Sequence, residues 1–297
     1  MSLTHFSLAL LVTFIWGTNF VVIHFGLQFF PPFLYAALRF VFTFLPWCFF
    51  FKRPNVPWRF LLANGIFLGV GQFGFLFWAL QGHIAPGIAS LVVQSQIFFS
   101  LILAFLIFKE VPNKFQILAL LICVIGFTLI ASDNQNSEQT NITTLGLILA
   151  LMAAFSWGCS NMVARKLGKV NMMNFLIWGG LFSCIPLLGM SFWFDGSKLI
   201  FESIQNANFA AWLSVLWQSI GNTLLGFGVW FWLIKKYDTA TIAPLSLLVP
   251  VFGMLSAYWL LDEKLTTVEL IAAFLIMLGL GANILITQII KKQNKIE

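Results

Sequence analysis

Apolar runs of 18 residues or more recur from one end of this chain to the other. Each is long enough to cross about 30 Å of hydrocarbon at a helical rise of about 1.5 Å per residue. Inside a bilayer no water satisfies the backbone, so only helices or a closed barrel can span it. These runs are continuous rather than alternating, which selects helices. Composition removes the soluble alternative: of 297 residues, 60% are hydrophobic and only 9% charged. A soluble domain carries roughly 25% charged residues, and too few are present here to coat a water-facing surface. The expected fold class is all-α integral membrane.

Ten transmembrane helices are expected, over 6–25, 32–51, 60–81, 84–108, 115–132, 145–164, 172–194, 210–234, 241–261 and 268–289. The connections are short except for 133–144 and 195–209, and no separate soluble domain is expected. Lys and Arg fix the orientation, because cytoplasmic connections carry their excess. With the N-terminus inside, thirteen fall on the cytoplasmic side: Lys52, Arg53, Arg59, Lys109, Lys114, Arg165, Lys166, Lys169, Lys235, Lys236, Lys291, Lys292 and Lys295. Only Lys198 and Lys264 fall outside, and Arg39 lies within a span. One missed helix would scramble that partition. The expectation is a multi-pass protein of the bacterial inner membrane with both termini cytoplasmic. The net charge of +6 therefore reports topology; basic residues in short clusters between apolar runs offer nucleic acid no binding face.

The four cysteines, Cys48, Cys123, Cys159 and Cys184, lie inside apolar segments without CxxC spacing or a nearby His. They read as small buried hydrophobes, so neither a metal nor a disulfide framework is expected. No Walker-type loop is present, so no nucleotide cofactor drives the chain directly. No Asp or Glu falls well inside an expected span, the acids sitting at span ends, as Glu269 does, or in connections, which argues against exchange of a proton for a cationic solute at a membrane carboxylate. An enzyme would need acid, base or metal-binding groups clustered at one depth, and none are.

The chain also reads as duplicated. Trp16-Gly17-Thr18-Asn19 is echoed by Trp157-Gly158-Cys159-Ser160-Asn161, and Phe108-Lys109-Glu110 by Leu261-Asp262-Glu263-Lys264. Five helices per repeat is an odd number, so the halves 1–132 and 145–297, joined by the periplasmic connection 133–144, are expected to be inverted. Inverted repeats about a central site are a recurrent transporter architecture, because exchanging the halves' conformations gives alternating access.

These features resemble the drug/metabolite transporter superfamily, specifically its EamA family, over essentially the whole chain. The resemblance is carried by Trp16 to Phe20, by Leu38-Arg39-Phe40, and by the stretch Ala89 to Gln96. Ala154-Phe155-Ser156-Trp157, Ala243 to Pro250 and Leu261 to Leu265 add to it. The Gln94-Ser95-Gln96 and Ala243 to Pro250 stretches are most similar to the exporters of cysteine and O-acetylserine within that family. The resemblance implies a ten-helix carrier with a cavity between two five-helix halves, exporting an amino acid or derivative. A drug-like or aromatic solute, and a non-transporting structural subunit, are the alternatives.

Several residues are candidates for binding a small-molecule substrate. Asn19, Gln72, Gln94, Gln96, Asn161 and Asn222 are neutral amides in apolar stretches. An amide suits a zwitterion, since its carbonyl accepts from an ammonium and its NH2 donates to a carboxylate; alone, each is equally an interhelical bond. Gln94 and Gln96 sit about 200° apart on a regular helix, so at most one is expected to point straight into a cavity. Trp16 and Trp157, at equivalent mid-span points, suit a cavity wall, a gate or packing. Arg39, roughly 10 Å below the outer boundary by helical rise, anchors a substrate carboxylate or bonds neighbouring helices. Pro86, Pro244 and Pro250 are candidate hinges, with Ser246 offering a hydroxyl between the last two.

Overall fold

The computed structural model describes residues 1–133, 142–237 and 239–293; much of the connection expected over 133–144, and Lys295, lie outside them. Among the described residues every regular element is helical, and one isolated bridge joins Ile84 to Ile142. The first seven helices are α1 (Leu3–Gly26), α2 (Pro32–Phe44), α3 (Trp58–Leu80), α4 (Pro86–Phe108), α5 (Lys114–Asp133), α6 (Thr144–Leu167) and α7 (Met172–Phe194). A short α8 (Gly196–Gln205) follows. Next, α9 runs through Phe209–Leu216, Trp217–Gly226 and Phe227–Lys236. A short turn, Thr239–Ile242, and a tight stretch, Ala243–Leu247, lead into α10 (Leu248–Leu261), and α11 is Thr267–Gln293.

Among the described residues, nine helical stretches are long and apolar enough to cross a membrane. The expected eighth span, 210–234, is helical but not among them, because Gln218, Ser219, Asn222 and Thr223 interrupt its apolar run. Two boundaries also move. The span expected over 32–51 leaves the α-helix after Phe44, ahead of Pro46, and continues as a tighter turn at Trp47–Phe49. The connection expected at 195–209 contains α8, which buries Ile200 and leaves Leu199, Phe201 and Ile204 exposed.

Two spans depart from α geometry over ten residues each. Gly65–Gly74 within α3 and Trp217–Gly226 within α9 are π-helical, with hydrogen bonds reaching five residues back. Glycines in the first bring α7 close. A Cβ added at Gly65 would lie 2.5 Å from Phe182 Cβ, and one at Gly69 would lie 2.2 Å from Ser183 Oγ. Ser183 Oγ then donates to the Gly65 carbonyl at 3.2 Å.

α4 and α10 end alike. Lys109 (φ 59°) and Asp262 (φ 54°) adopt the left-handed conformation, and the following Glu110 and Glu263 donate their N–H groups back to Ala104 and Ala257. This is the backbone closure that usually recruits glycine. The α5–α11 seam is reciprocal: a Cβ at Gly126 would lie 2.6 Å from Ile276 Cγ1, and one at Gly279 would lie 2.5 Å from Cys123 Sγ. Lys109 and Asp262, Cys123 and Ile276, and Gly126 and Gly279 are all separated by the same 153 positions. Elsewhere α1 packs on α10, α2 on α7 and α4 on α6. Large apolar side chains such as Leu121, Ile125, Leu270 and Phe274 face outward, as a lipid solvent permits.

The prolines act differently from one another. Pro86 occupies the first turn of α4, where its missing N–H breaks no helical bond. Pro244 lies in the tight stretch Ala243–Leu247, and Pro250 in the first turn of α10. Pro250 cannot donate to the carbonyl four residues back, and that Ser246 carbonyl instead accepts from Gln94 Nε2 at 3.2 Å.

Candidate functional site

Residues of α1, α3, α4, α6, α9, α10 and α11, with the tight stretch ahead of α10, enclose a cavity of about 480 Å³. Its polar lining is Asn19, Gln72, Gln94, Gln96, Asn161, Asn222, Ser246, Asn283, Thr287 and Gln288. Its aromatic lining is Trp16, Phe20, Phe73, Trp157, Phe227, Trp230 and Phe231. Among the described residues no charged side chain lines it.

The candidates from sequence therefore converge on one space, apart from Arg39 and the prolines. Gln94 and Gln96 both lie along it, where at most one was expected to point straight in. The tight stretch Val93–Ser95 advances three residues per turn and brings the two roughly 40° closer than an α-helix would. Each is also tied to a neighbouring element, Gln94 to the Ser246 carbonyl and Gln96 through its Oε1, which accepts from Asn161 Nδ2 at 2.8 Å. Asn161 Nδ2 also donates to Ser100 Oγ at 3.2 Å, so one amide links α6 to α4.

Trp16 Nε1 donates to the Asn222 carbonyl at 3.2 Å, inside the π segment of α9. Gly226 makes that approach possible, since a Cβ there would lie 2.5 Å from the indole nitrogen. The Trp16 ring lies against Phe227 and Trp230, with centroids 5.0 and 5.1 Å away. These rings give one side of the cavity an apolar wall.

Arg39 is fully buried and does not line the cavity. Its Nη1 donates to Gln218 Oε1 at 2.9 Å, and its guanidinium lies over the Phe73 ring, 3.6 Å from the centroid. It thus bonds α2 to α9, with Phe73 between it and the cavity. Sequence reasoning missed Gln218 and the α11 contribution of Asn283, Thr287 and Gln288. Asn283 and Thr287 are four residues apart and share a helix face, which was the available signal.

The EamA-like transporter family model matches residues 4–132 and 144–285. The chain belongs to this family. A relative from Escherichia coli K12, a "Probable amino-acid metabolite efflux pump", is 39% identical over 93% of each chain. Its namesake in Salmonella typhimurium LT2 is 40% identical, again over 93% of each. An uncharacterized transporter of Bacillus subtilis is 25% identical over 92% of this chain and 94% of its own. One solved crystal structure superimposes with a TM-score of 0.64, covering 96% of this chain and 98% of its own, at 18% identity; that likeness concerns the fold alone. The protein is a multi-pass membrane transporter for a small molecule, and the enzyme and structural-subunit readings fall away.

Proposed function

We propose that this transporter exports an amino acid or a close derivative, of the cysteine or O-acetylserine type, from the cytoplasm across the bacterial inner membrane. The observation that carries the reading is the uncharged cavity ringed by amides. Amides accept from an ammonium and donate to a carboxylate without demanding net charge. The names of the two relatives near 40% identity, amino-acid metabolite efflux pumps, agree with it.

The chain then works as ten spans in two inverted halves, 1–132 and 145–297, that rock about the cavity to expose it alternately. Supporting this are the paired π segments, the paired left-handed ends of α4 and α10, and the reciprocal α5–α11 glycines at a constant spacing. Both termini are cytoplasmic on this reading, following the Lys and Arg distribution. A second reading, export of an aromatic or drug-like solute, draws on Trp16, Trp157, Phe227 and Trp230 in the lining.

The test is efflux from cells preloaded with radiolabelled cysteine, O-acetylserine and phenylalanine. Wild type is compared with the double variant Asn19→Ala/Gln94→Ala at matched membrane abundance. Faster efflux of cysteine or O-acetylserine, lost in the variant, is expected. Efflux of phenylalanine alone would replace this reading with the second one, and no acceleration of any solute would refute both.

A further inference from the structure

We propose that Arg39, from outside the cavity, fixes which end of the Asn19 amide faces the solute, so that Asn19 Nδ2 receives a carboxylate. This rests on the reading just given and narrows it to solutes with a free carboxylate and a free amine. Arg39 is a positioning residue here, acting through Gln218.

A guanidinium only donates hydrogen bonds. Arg39 therefore takes the carbonyl end of Gln218, and the Gln218 NH2 is turned toward α1, where it donates to Asn19 Oδ1 at 2.8 Å. Gln218 is fully buried and Asn19 nearly so. Reversing Gln218 would set its NH2 against the Arg39 guanidinium, two donors face to face without water, a costly arrangement. That bond turns Oδ1 toward Gln218 and leaves Nδ2 as the end of the Asn19 amide for the cavity, which Asn19 lines. The charge of Arg39 stands one amide further back and favours an anionic group at the same place.

A second observation supplies acceptors. Gln72 Oε1 and Asn283 Oδ1 are buried carbonyl oxygens of cavity-lining residues, and neither has a hydrogen-bond partner. Buried carbonyls of that kind are ordinarily paired, and an ammonium would pair them. The lining residues thus include a donor at Asn19 and, once the Gln72 and Asn283 side chains turn their unpaired oxygens inward, acceptors for an ammonium, which suits an α-amino acid over its ester, its amide or an N-acyl derivative.

The decisive variant is Gln218→Glu, a near-isosteric change at a residue that does not touch the cavity. Glutamate accepts from Arg39 and from α1 alike, so Asn19 must turn its Nδ2 toward it and present Oδ1 to the solute. The purified full chain is reconstituted in liposomes, and uptake is measured for cysteine, methionine and phenylalanine, each against its carboxamide. The wild type is expected to prefer the free acid, and Gln218→Glu to lower that preference on the order of tenfold or more while keeping carboxamide uptake. Asn19→Asp, read in the same assay, carries the test if Gln218→Glu does not fold, because its second oxygen also replaces the donor. A wild type that favours carboxamides, or variants with an unchanged preference, would overturn the inference and leave amino-acid export standing. A wild type that moves none of the three acids would defeat the export reading itself, visible before any variant is made.

Discussion

Gly17→Ala places one methyl group on the seam where α1 meets the start of α10. The new Cβ would lie 2.6 Å from Phe252 Cβ, 2.6 Å from the Val249 carbonyl oxygen and 2.9 Å from the Gly253 nitrogen. Two of those three atoms are backbone, so no change of rotamer relieves the clash. The helices must part by about 0.8 Å, and overpacking of this kind costs about 1–3 kcal/mol. Alanine also gains up to about 1 kcal/mol of helix propensity over glycine, which masks part of the effect. Gly189→Ala in α7 is the matched control, because nothing lies within 4 Å of a Cβ added there. The difference between the two variants cancels the propensity term and isolates the seam. Thermal unfolding in detergent, followed by tryptophan fluorescence, should show Gly17→Ala melting several degrees below Gly189→Ala. Efflux should fall as well at matched abundance, since Trp16 and Asn19 flank the seam. If the two variants melt together, the close approach of α1 and α10 is not a tight contact and the reasoning fails.

Asn161→Leu should lower stability by about 1–3 kcal/mol in the same melt, because Gln96 Oε1 loses its donor in a part-buried place; an unchanged melting point would mean that water replaces the bond at no cost. Glu263, past the end of α10, accepts from the Gly87 N–H at 3.0 Å, and burial pushes its carboxyl above the ordinary carboxylate range. The folded chain then holds that proton more tightly than the unfolded chain, so this contribution is present at low pH and is lost as pH rises through the raised value. As pH falls from neutrality toward the ordinary carboxylate range, wild type should gain stability relative to Glu263→Gln, and parallel curves would contradict the assignment. The Arg165–Glu110 ion pair is about half exposed, so Arg165→Gln should shift stability by no more than about 1 kcal/mol, less in high salt; a larger loss in the melt would show the pair to be shielded from solvent.

What could be seen in the sequence, and what could not, divides along physical lines. Neutral amides such as Asn19, Gln72, Gln94 and Asn161 stand out in apolar stretches because hydrocarbon penalises them, so membrane placement exposed the lining early. The last helix hid its share: Asn283, Thr287 and Gln288 lie toward the end of a span, where polar residues are ordinary. Gln218 was invisible for another reason. It is defined by Arg39, 179 positions away, and no periodicity links the two. The π segments escaped because the choice between a bond four or five residues back depends on what packs alongside, as Phe182 and Ser183 do at Gly65 and Gly69. The eighth span shows the limit of hydropathy itself, since the amides and hydroxyls that enrich its middle are what lower its apolar score.

The two π segments also bear on how such a chain tolerates a change of length. A π turn closes its hydrogen-bonded ring around one residue more than an α turn. Losing a residue from Gly65–Gly74 or Trp217–Gly226 can therefore be absorbed by reverting a turn to α, and the faces on either side keep their bearing. The same loss in an ordinary stretch swings everything beyond it through about 100° and turns lining residues toward lipid. Single-residue deletions that keep the lining aligned are accordingly accommodated in these two π segments, each of which contributes residues to the same cavity.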